Sequence, residues 1–218
     1  MGGSSSYARG VRAIAPIAVA GATFAASFGV LARASHMGRR APIVMSATTF
    51  AGSAQFAATS VLKEGGGLAA AVVAAVLLNA RYAAISISVS SLFHGPAWRR
   101  LVESQLIVDE SWAISSKGDG KFDRGILIGA GALLYVAWVG GTTVGALVGG
   151  AIGDPNRLGL DAAFPALFFA LLLPQVREQR GVVAALAGAA IALVLLPFTP
   201  PGVPIIVAAA ACLVGIRR

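Results

Sequence analysis

Long apolar runs separated by short clusters of charge divide this sequence. The first run, about 11–32, carries Pro16 near its entry and a weakly polar face of Gly21, Thr23, Ser27 and Gly29. A basic loop with Arg33, His36, Arg39 and Arg40 follows. The second run, 42–62, holds Ser46, Thr48, Thr49, Ser53 and Gln55, too many polar groups for a helix that faces lipid. A tight turn at 63–67 leads into the third run, 68–92, with Asn79 and Arg81 near its centre. The longest polar region, 93–124, contains an amphipathic stretch at 101–115, which the pattern predicts to lie on a membrane or dip into it. The fourth run, 125–152, is glycine-rich, and Gly141, Gly145 and Gly149 form a G-x-x-x-G-x-x-x-G ridge that predicts close packing against another helix. Runs five to seven, 162–174, 181–196 and 202–216, are shorter, with a proline-rich link at 197–204. The pattern predicts an all-α polytopic membrane protein with about seven transmembrane helices, or six if the last two runs merge into a hairpin.

One stretch departs from plain apolar filler. F-A-G-S-A-Q-F at 50–56 sets four small residues beside an uncharged polar one in the middle of the second run. Small residues let a neighbouring backbone approach, or let the helix open and present its own polar groups. The stretch is a candidate broken helix that holds a polar solute.

Seven alternating spans place the loops 33–41, 93–124 and 177–180 and the C-terminus on one face, with 12 of the 17 basic residues. Arg9, Arg12, Lys63 and Arg157 then fall on the other face, so the positive-inside tendency puts the N-terminus outside. Ala22, Phe24, Phe28 and Leu31 match Ala162, Phe164, Phe168 and Leu171 at a constant offset, the mark of a 3+1+3 parallel repeat if it is not chance.

Composition agrees. Charged residues make up 12% of the chain, about half of what soluble domains carry, and mean hydropathy is +0.80. The net charge of +8 does not call for nucleic acid, because basic membrane-edge loops account for it. A lone cysteine, Cys212, excludes an internal disulfide and makes no metal site. Residues 1–10 read as a flexible Gly/Ser tail and 11–218 as one transmembrane transport domain. No P-loop, H-E-x-x-H, G-x-S-x-G or metal-spaced cluster occurs, so the expectation is a non-enzyme without cofactor, and a secondary rather than ATP-driven transporter.

Arg81 is the leading candidate for chemistry. A cation deep in a bilayer costs about 2.5–3.5 kcal/mol on insertion scales. It is placed either to meet a solute carboxylate or a buried acid, or to make a structural ion pair with Asp109 or Glu110. Gln55, at a similar depth in the neighbouring run, suits a zwitterion with its donors and acceptors; the plain alternative is a helix–helix hydrogen bond. Gly52, Ser53, Phe56 and Asn79 complete the candidate substrate-binding set. Asp109 and Glu110 follow the apolar Leu106–Val108 and are candidates for ion coupling, since desolvation raises a carboxyl pKa; a solvated acidic loop is the alternative. His36 and His94 read as surface residues, Trp98 and Trp112 as interface anchors, and Trp138 as a cavity-lining residue.

These elements resemble the AzlC family of branched-chain amino acid exporters. The resemblance covers roughly 14–175. It is carried by A-S-F-G-V-L-A at 26–32, S-A-T-T-F-A-G-S-A-Q-F at 46–56, L-N-A-R-Y at 78–82, D-E at 109–110 and F-P-A-L-F at 164–168. It implies efflux of leucine, isoleucine, valine or methionine across a bacterial inner membrane, usually with a small AzlD partner protein. Homo-oligomers stay open. The rival readings are a channel-like facilitator of a small neutral solute and a non-transporting membrane subunit.

Overall fold

The computed structural model describes residues 3–149, 169, 172–173, 176, 179–199 and 203–211. The later half of the repeat echo (Ala162, Phe164, Phe168, Leu171), the loop 154–161, most of run five, the end of run seven and Cys212 lie outside the described residues. In chain order the elements are α1 (Gly3–Ala34), α2 (Arg40–Thr49), α3 (Gly52–Lys63), α4 (Leu68–Asn79), α5 (Arg81–Val89), α6 (Ala97–Ser104), α7 (Asp109–Ser115), a hairpin of β1 (Ser116–Gly118) and β2 (Lys121–Phe122), and α8 (Arg124–Val148). Two further helices cover Gln179–Leu195 and Val203–Ala208. Among the described residues the fold is all-α apart from the hairpin, whose G-D-G turn has positive φ at Gly118, Asp119 and Gly120. Among the described residues, three helical segments are long and apolar enough to cross a membrane: Ser6–Ala34, Leu68–Leu92 and Arg124–Val148.

The chain forms two compact units, residues 1–52 with 79–153, and 53–78 with 154–218. The first is organised around α1 and α8. Asp123 caps α8, its carboxylate accepting from the Gly125 and Ile126 N–H groups at 3.0 and 3.2 Å. The glycine ridge lies against α1: a Cβ at Gly141 or Gly145 would strike the carbonyl oxygen of Ala22 or Ala26, and one at Gly149 would sit 3.0 Å from the Val30 Cα. The contact is reciprocal, because a Cβ at Gly29 would strike the Thr142 carbonyl oxygen. Toward the other end, Gly125 faces Ser6 and Gly129 faces the Tyr7 carbonyl. The backbones touch with no side chain between them, which is how helices gain contact where lipid supplies no hydrophobic drive.

This register also corrects the expected alternation of spans. Ser6 meets Gly125, Ala22 meets Gly141 and Val30 meets Gly149, so α1 and α8 run parallel. Parallel neighbours need an odd number of crossings between them, and full spans at both 42–62 and 68–92 would supply two. The expected sorting of loops changes with it. Arg9 lies 3.8 Å from Asp123, so the N-terminus shares a face with the 93–124 region, while Arg33 donates to the Ala146 carbonyl at the opposite end.

In the second unit, α3 buries Ser53 through Thr59 without interruption. A helix covered on all sides needs no polar face; this one nevertheless carries Ser53, Gln55 and Thr59. α4 buries only Ala71 and Ala74. A Cβ at Gly188 would lie 3.6 Å from the Ala208 oxygen and the Ala211 Cβ, so Gln179–Leu195 and Val203–Ala208 pack in ordinary contact.

Candidate functional site

In the first unit, several helix ends converge partway along α8. α2 runs antiparallel to α8: the Ser46 and Thr142 hydroxyls are 2.8 Å apart, and the Phe50 ring meets Tyr135 edge-on with centroids at 5.1 Å. α2 therefore ends near the middle of α8, where Phe50 is buried with left-handed φ 43° and ψ 48°. That conformation costs a bulky residue about 1–2 kcal/mol. The last carbonyls of a helix lack partners within it, and far from water something else must serve them. The Tyr135 hydroxyl donates to the Ala47 carbonyl at 2.8 Å, and Gln105 Nε2 donates to the Thr48 carbonyl at 2.9 Å. α3 then starts at Gly52, so the helix break expected at 50–56 falls at Phe50–Ala51. A Cβ at position 52 would come within 2.6 Å of the Trp138 ring, which explains the glycine there and places Trp138 over the break.

Gln105 belongs to a segment that enters and leaves. α6 ends beside the start of α8, where Glu103 pairs with Arg124. The chain then turns inward until the Leu106 carbonyl abuts Gly131 and Val108 packs with Ala130 and Leu134. That apex is about 10 Å along α8 from Arg124, at about 1.5 Å per residue. Ser111, fully buried, fixes it by accepting from the Val108 N–H at 3.0 Å and donating to the Leu106 carbonyl at 2.9 Å. α7 leads back out, and the Ser115 carbonyl accepts from the Asp123 N–H at 2.8 Å. The amphipathic stretch 101–115 therefore dips inward.

At the same level Tyr82, near the start of α5, packs on the cluster of Ile14, Ala18, Phe50, Val108, Ala130 and Leu134. Arg81 Nη2 reaches Asp109 Oδ2 at 2.7 Å, and the guanidinium lies 5.3 Å from the Tyr82 ring centroid. The structure thus makes one of the two ion pairs that the sequence offered as the structural reading of Arg81. Asn79 Oδ1, two residues before Arg81, is buried without a hydrogen-bond partner among the described residues. Glu110, next to Asp109, is exposed. Ser53, Gln55 and Phe56 sit in the other unit, all buried on α3.

Sequence reasoning missed Tyr135, Gln105 and Ser111. Each serves a backbone group at a place where the chain breaks off, and such a role shows in the sequence only once the break is known. Trp112, read as an interface anchor, donates to Ser88 Oγ at 2.9 Å and leans on Phe122.

The family model described as AzlC protein matches residues 16–152, which contain every helix end of this site. The chain belongs to the AzlC family. A membrane protein of Archaeoglobus fulgidus is 32% identical over 208 residues, covering 92% of this chain and 90% of its own. The branched-chain amino acid transport protein AzlC of Bacillus subtilis is 29% identical over 150 residues, 67% of this chain and 59% of that one. The inner membrane protein YgaZ of Escherichia coli is 25% identical over 207 residues, 86% and 81% of the two chains. No solved structure matches. The AzlC match and these names support a membrane transport protein.

Proposed function

We propose that this chain is a secondary transporter that exports branched-chain or related amino acids, leucine, isoleucine, valine or methionine, across a bacterial cytoplasmic membrane. The observation that carries the reading is the Arg81–Asp109 pair, held where α2 ends and α7 begins partway along a membrane-length helix. Discontinuous helices that meet inside the bilayer are how transporters build polar sites in an apolar medium. Phe50, Tyr82, Tyr135 and Trp138 provide apolar surface for an aliphatic side chain. The substrate class is taken from the name of the Bacillus subtilis relative. Residues 11–218 act as one transport domain, and a small AzlD-like membrane protein is the proposed partner.

Orientation follows from the corrected faces. Arg9, Arg12, Arg99, Arg100, Lys117, Lys121 and Arg124 share one end of the first unit, against Arg33, Arg39 and Arg40 at the other. Positive-inside then puts the N-terminus in the cytoplasm, so Asp109 and Glu110 are approached from the cytoplasmic side. Asp109 and Glu110, the adjacent carboxyls on that approach, are the proposed carriers of a coupling ion.

The test is intracellular leucine and methionine in cells fed with dipeptides, with and without this protein. Expression should lower accumulation of at least one of them. Equal accumulation with well-expressed protein and its co-expressed partner would refute the export reading.

A further inference from the structure

We propose that α6 is an interfacial helix that docks on anionic phospholipid of the cytoplasmic leaflet, with Trp98, Leu101 and Val102 in the acyl boundary and Arg99 and Arg100 on the headgroup phosphates. The leaflet is taken from the orientation argued above; the docking does not depend on what the protein transports.

The helix is tied to the membrane edge at both ends. α8 begins at Arg124, directly after the hairpin region with Lys117, Asp119, Lys121 and Asp123, so its first turn marks where the apolar span starts. The chain comes to α6 from Phe93, which packs with Leu127 in that first turn. Gly95, at φ 105°, and the extended Pro96 turn it into the helix. It leaves α6 by way of Glu103, which pairs with Arg124. Entry and exit thus lie within one turn of α8. The 8 residues between, about 12 Å long, run along the boundary rather than away from it.

Its faces are sorted for that position. Trp98, Leu101 and Val102 fall at i, i+3 and i+4 on one face and are 68%, 70% and 61% exposed. At about 100° per residue, Glu103 stands roughly 150° from the middle of that face. The contact that ties α6 to α8 is therefore on the polar side, and the apolar side is turned outward from the first unit. Lipid at the headgroup–acyl boundary suits such a face, and tryptophan favours that level.

Charge selects the kind of lipid. Around α6, Arg9, Arg99, Arg100, Lys117, Lys121 and Arg124 meet only Glu103, Asp119 and Asp123 in opposition. Glu103 is taken by Arg99 and Arg124, and Asp123 by Lys117. Among the described residues no acid pairs with Arg100. The surplus is drawn to an anionic surface. A second copy of this chain would bring the same positive surplus against the face and be repelled. Gln105 follows α6 directly and caps the Thr48 carbonyl, so the docked helix also fixes the outer end of the segment that dips inward.

The test uses full-length protein carrying Cys212→Ser, with an NBD fluorophore on Leu101→Cys or, toward the polar side, on Ser104→Cys. It sits in phosphatidylcholine nanodiscs that contain doxyl-chain phosphatidylglycerol or doxyl-chain phosphatidylcholine at the same mole fraction. The doxyl phosphatidylglycerol should quench the label at 101 at least twofold more than the label at 104, and at least twofold more than the doxyl phosphatidylcholine does. Arg99→Gln/Arg100→Gln, which leaves Glu103 its pairing with Arg124, should erase the second margin and keep the first. A label on Trp98→Cys should repeat the pattern of Leu101→Cys. Equal quenching at 101 and 104 overturns the docking: blue-shifted emission at 101 then means that a partner or second copy covers the face, and emission at the aqueous maximum that it stands in water. Equal quenching at 101 by the two lipids overturns the anionic preference. The quenching is read without substrate, so either failure leaves the export reading standing.

Discussion

Two adjacent glycines on α8 should respond differently to the same small substitution. A Cβ at Gly141 would strike the Ala22 carbonyl oxygen and stand 2.9 Å from the Ala25 Cβ, while a Cβ at Gly140 meets nothing within 4 Å. The obstruction at 141 is mostly main chain, so no side chain can swing aside; α1 and α8 must part. A radial gap of about 0.5–1 Å forfeits a quarter to a half of each dispersion contact across the seam, and overpacking of this kind costs about 1–3 kcal/mol. Gly140→Ala meets no such obstacle and gains about 0.5–1 kcal/mol from the better helix former. Both positions gain that propensity, so it cancels between them, and the two variants should differ by the overpacking cost alone, roughly 1–3 kcal/mol, with Gly141→Ala the less stable. Reversible unfolding of the purified protein by SDS in mixed micelles, followed by far-UV circular dichroism, reads this directly. Indistinguishable midpoints for the two variants would refute the close α1–α8 contact.

Tyr135→Phe removes the hydroxyl that serves the Ala47 carbonyl and should cost about 1–2 kcal/mol in the same assay, with the Phe50 contact preserved. Asp123→Ala removes the α8 cap and should cost about 1–2 kcal/mol. The Asp123 carboxyl is held below its ordinary pKa, first by its hydrogen bond from Lys117. Its contribution is therefore fully present above the unfolded value, about 3.9, and is lost as pH falls through the lower folded value. Wild type should lose stability on acidification below about pH 4, and Asp123→Asn should flatten that limb of the stability–pH curve. If Glu110 carries the coupling proton, Glu110→Gln should flatten the pH dependence of export; an unchanged profile removes that role.

Much of this architecture was legible in the residues, and the failures are instructive. Gly141, Gly145 and Gly149 announced a close helix contact because glycine at that interval has few other uses in an apolar run; nothing in them named α1 as the partner. The small residues 51–54 marked a helix break that the chain indeed makes at Phe50–Ala51. The left-handed conformation at Phe50 left no trace, since an aromatic residue is a poor choice for it. Arg81 was singled out by the cost of its charge. Asp109 was read both as an ion-coupling candidate, because it follows the apolar 106–108, and as part of a solvated acidic loop; its place beside α8 is set by the packing of Leu106 and Val108. The alternation of spans failed for a simple reason. The length of an apolar run says that it is covered by apolar surroundings, not that it carries the chain to the other side.

The seam between α1 and α8 limits how this protein can move. Helices separated by side chains slide past one another by small rotamer adjustments, but main chain resting on main chain has no such slack. Any rearrangement that opens the Arg81 region to alternate sides must leave those two helices fixed as a rigid keel and swing other elements about it. Spin labels on Val19 and Val136, both exposed, should then keep one separation through every stage of turnover.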